Sequence, residues 1–382
     1  MDSCDVLIVG GGPAGSSCAW KLTRGGLDTI VLDKSHFPRH KVCGGWITPA
    51  VLSELDIDIA QYAPGRTLQP IVGFRTGVMD AREVEITYGK PISYGIRRCE
   101  FDDYLLKRSG ARLYCGANLT SIERSGEQWT VNGQIRARII VGAGGHFCPV
   151  ARLLGADARK ETAVVAQETE FEMNLSERAA CSIRGEVPEL YFCPDMRGYG
   201  WCFRKGNFIN IGLGRLDAHG LPSHVAEFLR FLKKRGKFDF DVPSPMAGHA
   251  YLLLRDMRHK IVDEGMLLTG DAAGLAYSQS GEGIRPAIES GLMAADAILA
   301  ANGKYNAANL ESYRTRLELR FGKSQSGLAV TLGRRLPAKL LGAISRQILA
   351  NRWFSRHVVL DDWFLHLDEP ALKTFIPLAT QP

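Results

Sequence analysis

The first residues alternate little between polar and apolar, and that pattern predicts a strand buried on both faces. Asp5-Val6-Leu7-Ile8-Val9 is a short continuous apolar run, partly β-branched. A helix pattern follows through Ser16-Ser17-Cys18-Ala19-Trp20-Lys21-Leu22, and Gly25-Gly26 ends it. A second apolar run, Thr29-Ile30-Val31-Leu32, predicts the next strand and closes on Asp33. The same pattern returns twice at long range. Ala137-Arg138-Ile139-Ile140-Val141 runs into Gly142-Ala143-Gly144-Gly145, and Met266-Leu267-Leu268-Thr269 runs into Gly270-Asp271-Ala272-Ala273-Gly274. If these three glycine-bearing strand ends share one sheet, the chain is an α/β protein whose first domain is discontinuous.

The stretches between them read differently. Pro49 to Leu55 predicts a short helix, and Arg98-Cys99-Glu100-Phe101-Asp102-Asp103-Tyr104-Leu105-Leu106 an amphipathic one. Ile71-Val72-Gly73-Phe74 and the alternating Glu83–Tyr88 predict strands of a separate sheet. Short strands are expected at Arg112–Cys115, Leu119–Ile122 and Trp129–Val131. Residues 163–255 are rich in alternating strands, with one helix near Ser223–Arg235, and helical patterns dominate from about Ile284 onward. The expected division is 1–65, 98–160 and 256–310 for the split domain, 66–97 and 161–255 for an inserted β-rich domain, and 311–382 for a helical C-terminal region.

The first turn carries chemistry. Gly10, Gly12 and Gly15 satisfy G-x-G-x-x-G between a strand and a helix. In such a turn the first glycine makes the bend, the second lets a pyrophosphate approach the backbone, and the third lets the helix pack on the strand. Pro13 suits the first helical turn, where its missing N–H is not needed. The helix N-terminus is a ready anion site. Asp33 follows about 20 residues on, where an acid holds a ribose hydroxyl. These residues imply a bound dinucleotide and leave open which one.

Composition narrows the classes. The chain has 382 residues, 45% hydrophobic and 23% charged, which suits a globular protein with ample core. Net charge is +6, too mild to imply a nucleic-acid partner. The nine cysteines are odd in number and scattered, with no C-x-x-C, so they read as reduced thiols of a cytoplasmic protein. The nine histidines show no metal-ligand spacing, and no metal site is expected. The N-terminus has no signal-peptide pattern, and no apolar stretch is long enough to span a bilayer.

Taken together, the three glycine-bearing stretches resemble the FAD-binding fold of p-hydroxybenzoate hydroxylase and its relatives. Gly270-Asp271 is similar to that superfamily's second FAD motif, whose aspartate receives a ribityl hydroxyl of flavin. Arg98 fits its Arg-x-x-Phe-Asp pattern. Gly144 stands where many hydroxylases have an acid. Within the superfamily the chain resembles the geranylgeranyl reductase family. That likeness rests on Lys41-Val42-Cys43-Gly44-Gly45, on Tyr199-Gly200-Trp201-Cys202-Phe203, and on Gly281-Glu282-Gly283-Ile284-Arg285-Pro286. One departure is Arg204, where the family's Tyr-x-Trp-x-Phe-Pro motif has proline. The resemblance implies FAD held by Gly10, Gly12, Pro13, Ala14, Gly15, Asp33 and Lys34, then by Gly44, Gly45, Arg98 and Leu119, and at the flavin end by Gly270, Asp271, Gly283 and Ile284. It places Cys43 on the substrate side of the flavin as the candidate catalytic residue, a contact or proton donor.

Tyr199, Trp201 and Phe203 alternate, so on a strand they share one face. They form either plain core or, as the resemblance implies, the wall of a pocket for an apolar small molecule or lipid. From Arg320 to His357 the chain has eight Lys or Arg and no Asp or Glu, interleaved with Leu336, Leu340, Leu341, Ile344, Ile348, Leu349, Trp353 and Phe354. That pattern fits either peripheral contact with the inner face of a membrane or an ordinary packed helix with a basic face in water. The expected activity is hydride transfer from reduced flavin to a carbon–carbon double bond of a prenyl or similar chain, with NAD(P)H or a small redox protein as electron donor. Two alternatives stay open. One is a monooxygenase or halogenase of the same fold, although the halogenases' Trp-x-Trp-x-Ile-Pro signature is missing. The other is a non-catalytic FAD-binding protein that docks on a membrane.

Overall fold

The computed structural model describes residues 1–156, 163–216, 219–253, 260–322, 345–370 and 372. Its first sheet runs in the order Val262–Asp263, Met266–Leu268, Ile135–Gly142, Asp2–Val9, Thr29–Asp33, Arg112–Cys115. The last five are mutually parallel. Register pairs Val9 with Gly142 and Gly142 with Leu268. The three apolar strands from distant parts of the sequence are therefore neighbours, and their carboxyl ends reach the same edge. Their apolar side chains are buried, as in a parallel sheet packed on both faces.

The helix Pro13–Arg24 leaves the first strand and packs along the helix Ile284–Ala300. The two approach so closely that a Cβ on Gly291 would lie 2.3 Å from the Ala14 carbonyl oxygen. That crossing locks the last part of the split domain onto the first.

The second sheet has seven strands in the order Ala247–Leu252, Ala163–Glu172, Phe208–Arg215, Gly198–Lys205, Glu189–Phe192, Gly73–Val78, Val84–Thr87. Alternation gives it two different faces. Cys202, Ile209, Ile211 and Leu213 face the helix Leu221–Lys234 with its Val225, Phe228 and Phe231. Leu190, Trp201 and Phe203 face the other way, toward Trp46 and toward Val359, Leu360 and Phe364 of the wide helical turn Ser355–Phe364. A small sheet of Trp46–Ile47, Ser93–Ile96 and Leu68–Ile71 lies between the two larger ones in sequence.

Two expected strands differ. The Ile71–Phe74 run is two strands, Leu68–Ile71 and Gly73–Val78, which belong to different sheets. Of the expected strand Leu119–Ile122, residues 119–121 are a loop that precedes the strand Ile122–Ser125. The Asn132 carboxamide oxygen accepts from the Thr120 N–H at 2.7 Å, so a side chain takes up the backbone donor that a strand would have paired.

Candidate active site

The glycine turn sits at the carboxyl edge of the first sheet. Gly10 has φ +114°, and a Cβ there would lie 2.3 Å from the Ala143 carbonyl oxygen. A Cβ on Gly15 would lie 1.9 Å from the Gly10 carbonyl oxygen. Both positions are closed by protein. Gly12 is different: a Cβ there would meet only the Arg39 guanidinium, at 3.4 Å. The N-terminus of the helix Pro13–Arg24 therefore opens onto free space with a cation beside it. Asp33 braces the turn. One carboxylate oxygen accepts the Gly11 N–H at 2.7 Å and the other the Ser35 N–H at 2.8 Å.

That free space is one end of a continuous cavity of about 650 Å³. Gly10, Gly12, Pro13, Ala14, Asp33 and Lys34 line the cradle end, with Leu119 on the loop held by Asn132. Arg98, Cys43, Gly44 and Gly45 line the middle. Asp271, Gly283, Ile284, Tyr199 and Trp201 line the far end, together with His249 and Tyr251. Gly15 and Gly270 are not in the lining; they support it from behind. Gly270 has φ +60°, and a Cβ on it would lie 3.1 Å from that of Ala14.

Phe203 departs from the expected three-membered wall. It is 1% exposed, packs edge-on against Trp46 at 5.1 Å between ring centroids, and does not line the cavity. Trp46 covers the Phe203 ring, so the strand's successive same-face residues run from the pocket into core. Tyr199 and Trp201 do reach the cavity, and the Tyr199 hydroxyl donates to the Ser280 carbonyl oxygen.

The Cys43–Gly45 turn lies directly on this strand. A Cβ on Gly44 would be 3.3 Å from the Phe203 ring and 3.5 Å from Trp201 Nε1. A Cβ on Gly45, at φ +69°, would be 2.5 Å from the Ile96 carbonyl oxygen and from Lys205 Nζ. Only glycine fits there.

Charges converge on the far end. Lys41 Nζ lies 3.1 Å from both ring nitrogens of His249, and His249 Nε2 lies 3.8 Å from the Asp271 carboxylate. Burial brings the Lys41 ammonium down to about 8. Burial, joined by the charges of Lys41 and Arg98, also pulls the His249 imidazole below its ordinary value. For Asp271 burial pushes upward, but His249, Lys41 and Arg98 outweigh it, and the carboxyl titrates below the usual range. Arg98 is buried and bonds Asp102 through two contacts of 2.8 and 2.9 Å.

The residues present fit FAD. Gly12 leaves room for a pyrophosphate, Asp33 lines the cavity beside it, and Asp271 lies at the opposite end of the same cavity beside the start of the helix Ile284–Ala300. Sequence reasoning missed His249, Tyr251 and Asn210. Each is a single residue in an alternating strand, without a motif around it. Among the described residues, no group of three or more His, Cys, Asp or Glu is placed to hold a metal ion. No helix among them is long and apolar enough to cross a membrane. Of the basic C-terminal stretch, Lys323, Arg334, Arg335 and Lys339, with Leu336, Leu340, Leu341 and Ile344, lie outside the described residues.

Comparison with known proteins agrees with this geometry. Residues 5–75 match the family model for FAD dependent oxidoreductases. A menaquinone reductase of Mycobacterium tuberculosis is 31% identical over 320 residues, covering 77% of this chain and 76% of that protein. A digeranylgeranylglycerophospholipid reductase of Methanocaldococcus jannaschii is 27% identical over 315 residues, covering 77% and 76%. A geranylgeranyl bacteriochlorophyll reductase-like protein from Thermoplasma acidophilum has the same fold, with TM-score 0.76 at 22% identity over 95% of this chain and 97% of that one. So does the halogenase PltM in complex with phloroglucinol and FAD, with TM-score 0.68 at 16% identity over 98% and 88%. A glycine turn with room for a pyrophosphate, an aspartate at the far end of the same cavity and this kinship lead to one conclusion: the chain is an FAD-dependent oxidoreductase and belongs to the geranylgeranyl reductase family.

Proposed function

We propose that this protein reduces carbon–carbon double bonds of a prenyl chain or a similar apolar compound. The observation that carries the reading is the continuity of the cavity, which runs from the dinucleotide cradle to an end walled by Tyr199, Trp201 and Tyr251. Aromatic walls with a few placed polar groups suit a long apolar ligand. The names of the menaquinone and digeranylgeranylglycerophospholipid reductases support it, since both substrates are lipids with polyprenyl chains.

FAD held along this cavity would, when reduced, supply a hydride to one alkene carbon. The other carbon takes a proton, and Cys43, Lys41, His249, Tyr251 and Glu282 are among the proton-bearing side chains that line the cavity. The aromatic rings hold the chain and exclude water. The N-terminus of the helix Ile284–Ala300 favours negative charge beside Gly283. Electrons enter from NAD(P)H or a small redox protein. The protein works in the cytoplasm and meets its lipid at the inner face of the membrane through its basic C-terminal region. There Ile348 and Trp353 are 40% and 66% exposed, and Arg346 and Arg352 are exposed beside them.

The test is anaerobic incubation of the dithionite-reduced protein with a panel of isoprenoid lipids, read by flavin reoxidation and product mass. A product that gains two hydrogens without oxygen supports the reductase. Strict oxygen dependence with an oxygenated or halogenated product overturns it in favour of the monooxygenase reading. A flavin that no donor reduces, with or without lipid, overturns it in favour of a docking protein.

A further inference from the structure

Asn210 lies in the strand Phe208–Arg215, is 1% exposed, and is not part of the cavity lining. Its side chain nevertheless connects the two parts of the far end. Trp201 Nε1 donates to Asn210 Oδ1 at 2.7 Å. An indole N–H can only donate, so the amide oxygen must face it and the NH2 must face away. The NH2 is 3.0 Å from the Cys43 carbonyl oxygen, 2.8 Å from Glu168 Oε2 and 3.2 Å from Glu170 Oε2.

An amide has two N–H protons and these are three acceptors. Glu170 has other donors, Lys205 Nζ at 2.8 Å and Arg97 Nε at 3.2 Å. The two Asn210 protons are therefore left for Glu168 and the Cys43 carbonyl. Gly212 completes the arrangement. A Cβ there would lie 2.3 Å from the Trp201 ring, so the indole fills a slot that only glycine leaves open.

We propose that Asn210 is a positioning residue that ties the Cys43–Gly45 turn to the indole of Trp201 and so sets the gap between them. The gap's role in reduction rests on the reductase reading; the tie itself does not. Loss of the amide frees the turn from the strand and leaves the Gly10–Gly15 turn as it is, so alkene reduction slows per bound FAD.

The test uses the FAD-loaded protein with Asn210→Leu, Trp201→Phe and the double variant. Labelling of Cys43 by N-ethylmaleimide is mapped by mass spectrometry against Cys115, a partly buried thiol on the first sheet. Asn210→Leu is expected to raise the Cys43 ratio about fivefold or more, the factor for one lost hydrogen bond. Trp201→Phe keeps the Asn210–Cys43 bond and raises it less. The double variant adds little to Asn210→Leu, because both act through one chain of contacts. An unchanged ratio in Asn210→Leu, or effects that add independently, overturns the proposal. If Asn210→Leu does not fold, Asn210→Ser removes the same bonds without added bulk. Anaerobic turnover is the second readout, with kcat per bound FAD lowered. Labelling as expected in a protein that reduces no prenyl lipid refutes the reductase reading alone, since labelling needs no substrate.

Discussion

Arg98 and Asp102 lie one helical turn apart and grip each other through two parallel contacts, with Asp102 0% exposed. Arg39, the cation beside Gly12, lies 3.3 Å from the same carboxylate. One buried acid thus fixes two cations that face the cavity. Asp102→Ala leaves Arg98 buried and unpaired, and the expected cost is about 3–5 kcal/mol. Urea unfolding of the FAD-free protein measures it, and a change under about 1 kcal/mol would show that the pair is not fixed as described.

The glycines of the first turn separate folding from binding. Gly10→Ala drives a methyl into the Ala143 backbone at positive φ, with an expected loss of about 3 kcal/mol or more in stability. Gly12→Ala meets only the end of Arg39, so the protein folds as before. Its FAD affinity falls by about 10- to 100-fold, because the methyl takes space that the pyrophosphate needs. Circular dichroism melts and flavin fluorescence titration read the two effects, and equal behaviour of the two variants would refute the assignment.

Glu168 gives a pH signature. It is 1% exposed, and burial raises its carboxyl from the ordinary value to about 7, against Lys205, Asn210 and the Cys43 amide. Between the ordinary carboxyl range and pH 7 the folded state holds a proton that the unfolded state has lost. Its contribution is therefore most favourable at low pH and is lost as pH rises through that window. Glu168→Gln removes this slope. Its stability relative to the native chain should rise by about 2–3 kcal/mol from pH 4.5 to pH 7.5. Parallel curves for the two proteins would contradict the buried, ionisable placement.

The C-terminal surface predicts vesicle binding. The protein should cosediment with vesicles that contain anionic lipid, and salt should release it. Arg346→Gln should weaken partition about fivefold, as one basic group near an anionic surface is worth about 1 kcal/mol. Equal binding to neutral and anionic vesicles would remove the membrane contact from the proposal.

Legibility followed locality. The strand, glycine turn and acid of residues 5–33 were readable because their partners are near in sequence. Gly270-Asp271 was readable because it repeats the same strand-to-turn grammar. The C-terminal edge they share needed only the parallel-sheet rule. His249 and Asn210 were not readable. Asn210 matters because antiparallel pairing sets Phe203 opposite it and lets Trp201, the next residue on that face, reach it, and His249 because pairing sets it opposite Ala166 in the neighbouring strand. Phe203 was misplaced for a related reason. Alternation tells which face a side chain takes, but not how far along the strand the cavity extends.

Gly291 seated against Ala14 has a consequence for the order of events in the cell. The cradle is begun by the Gly10–Gly15 turn and completed by residues made some 260 positions later. At about 5–20 residues per second, the helix Pro13–Arg24 waits on the order of tens of seconds for the helix Ile284–Ala300 that packs along it. Until then that face of the helix is uncovered and the cavity lacks its Asp271 and Gly283 end. Flavin capture is therefore a late step of biogenesis, and a nascent chain arrested before Met266 should hold no FAD.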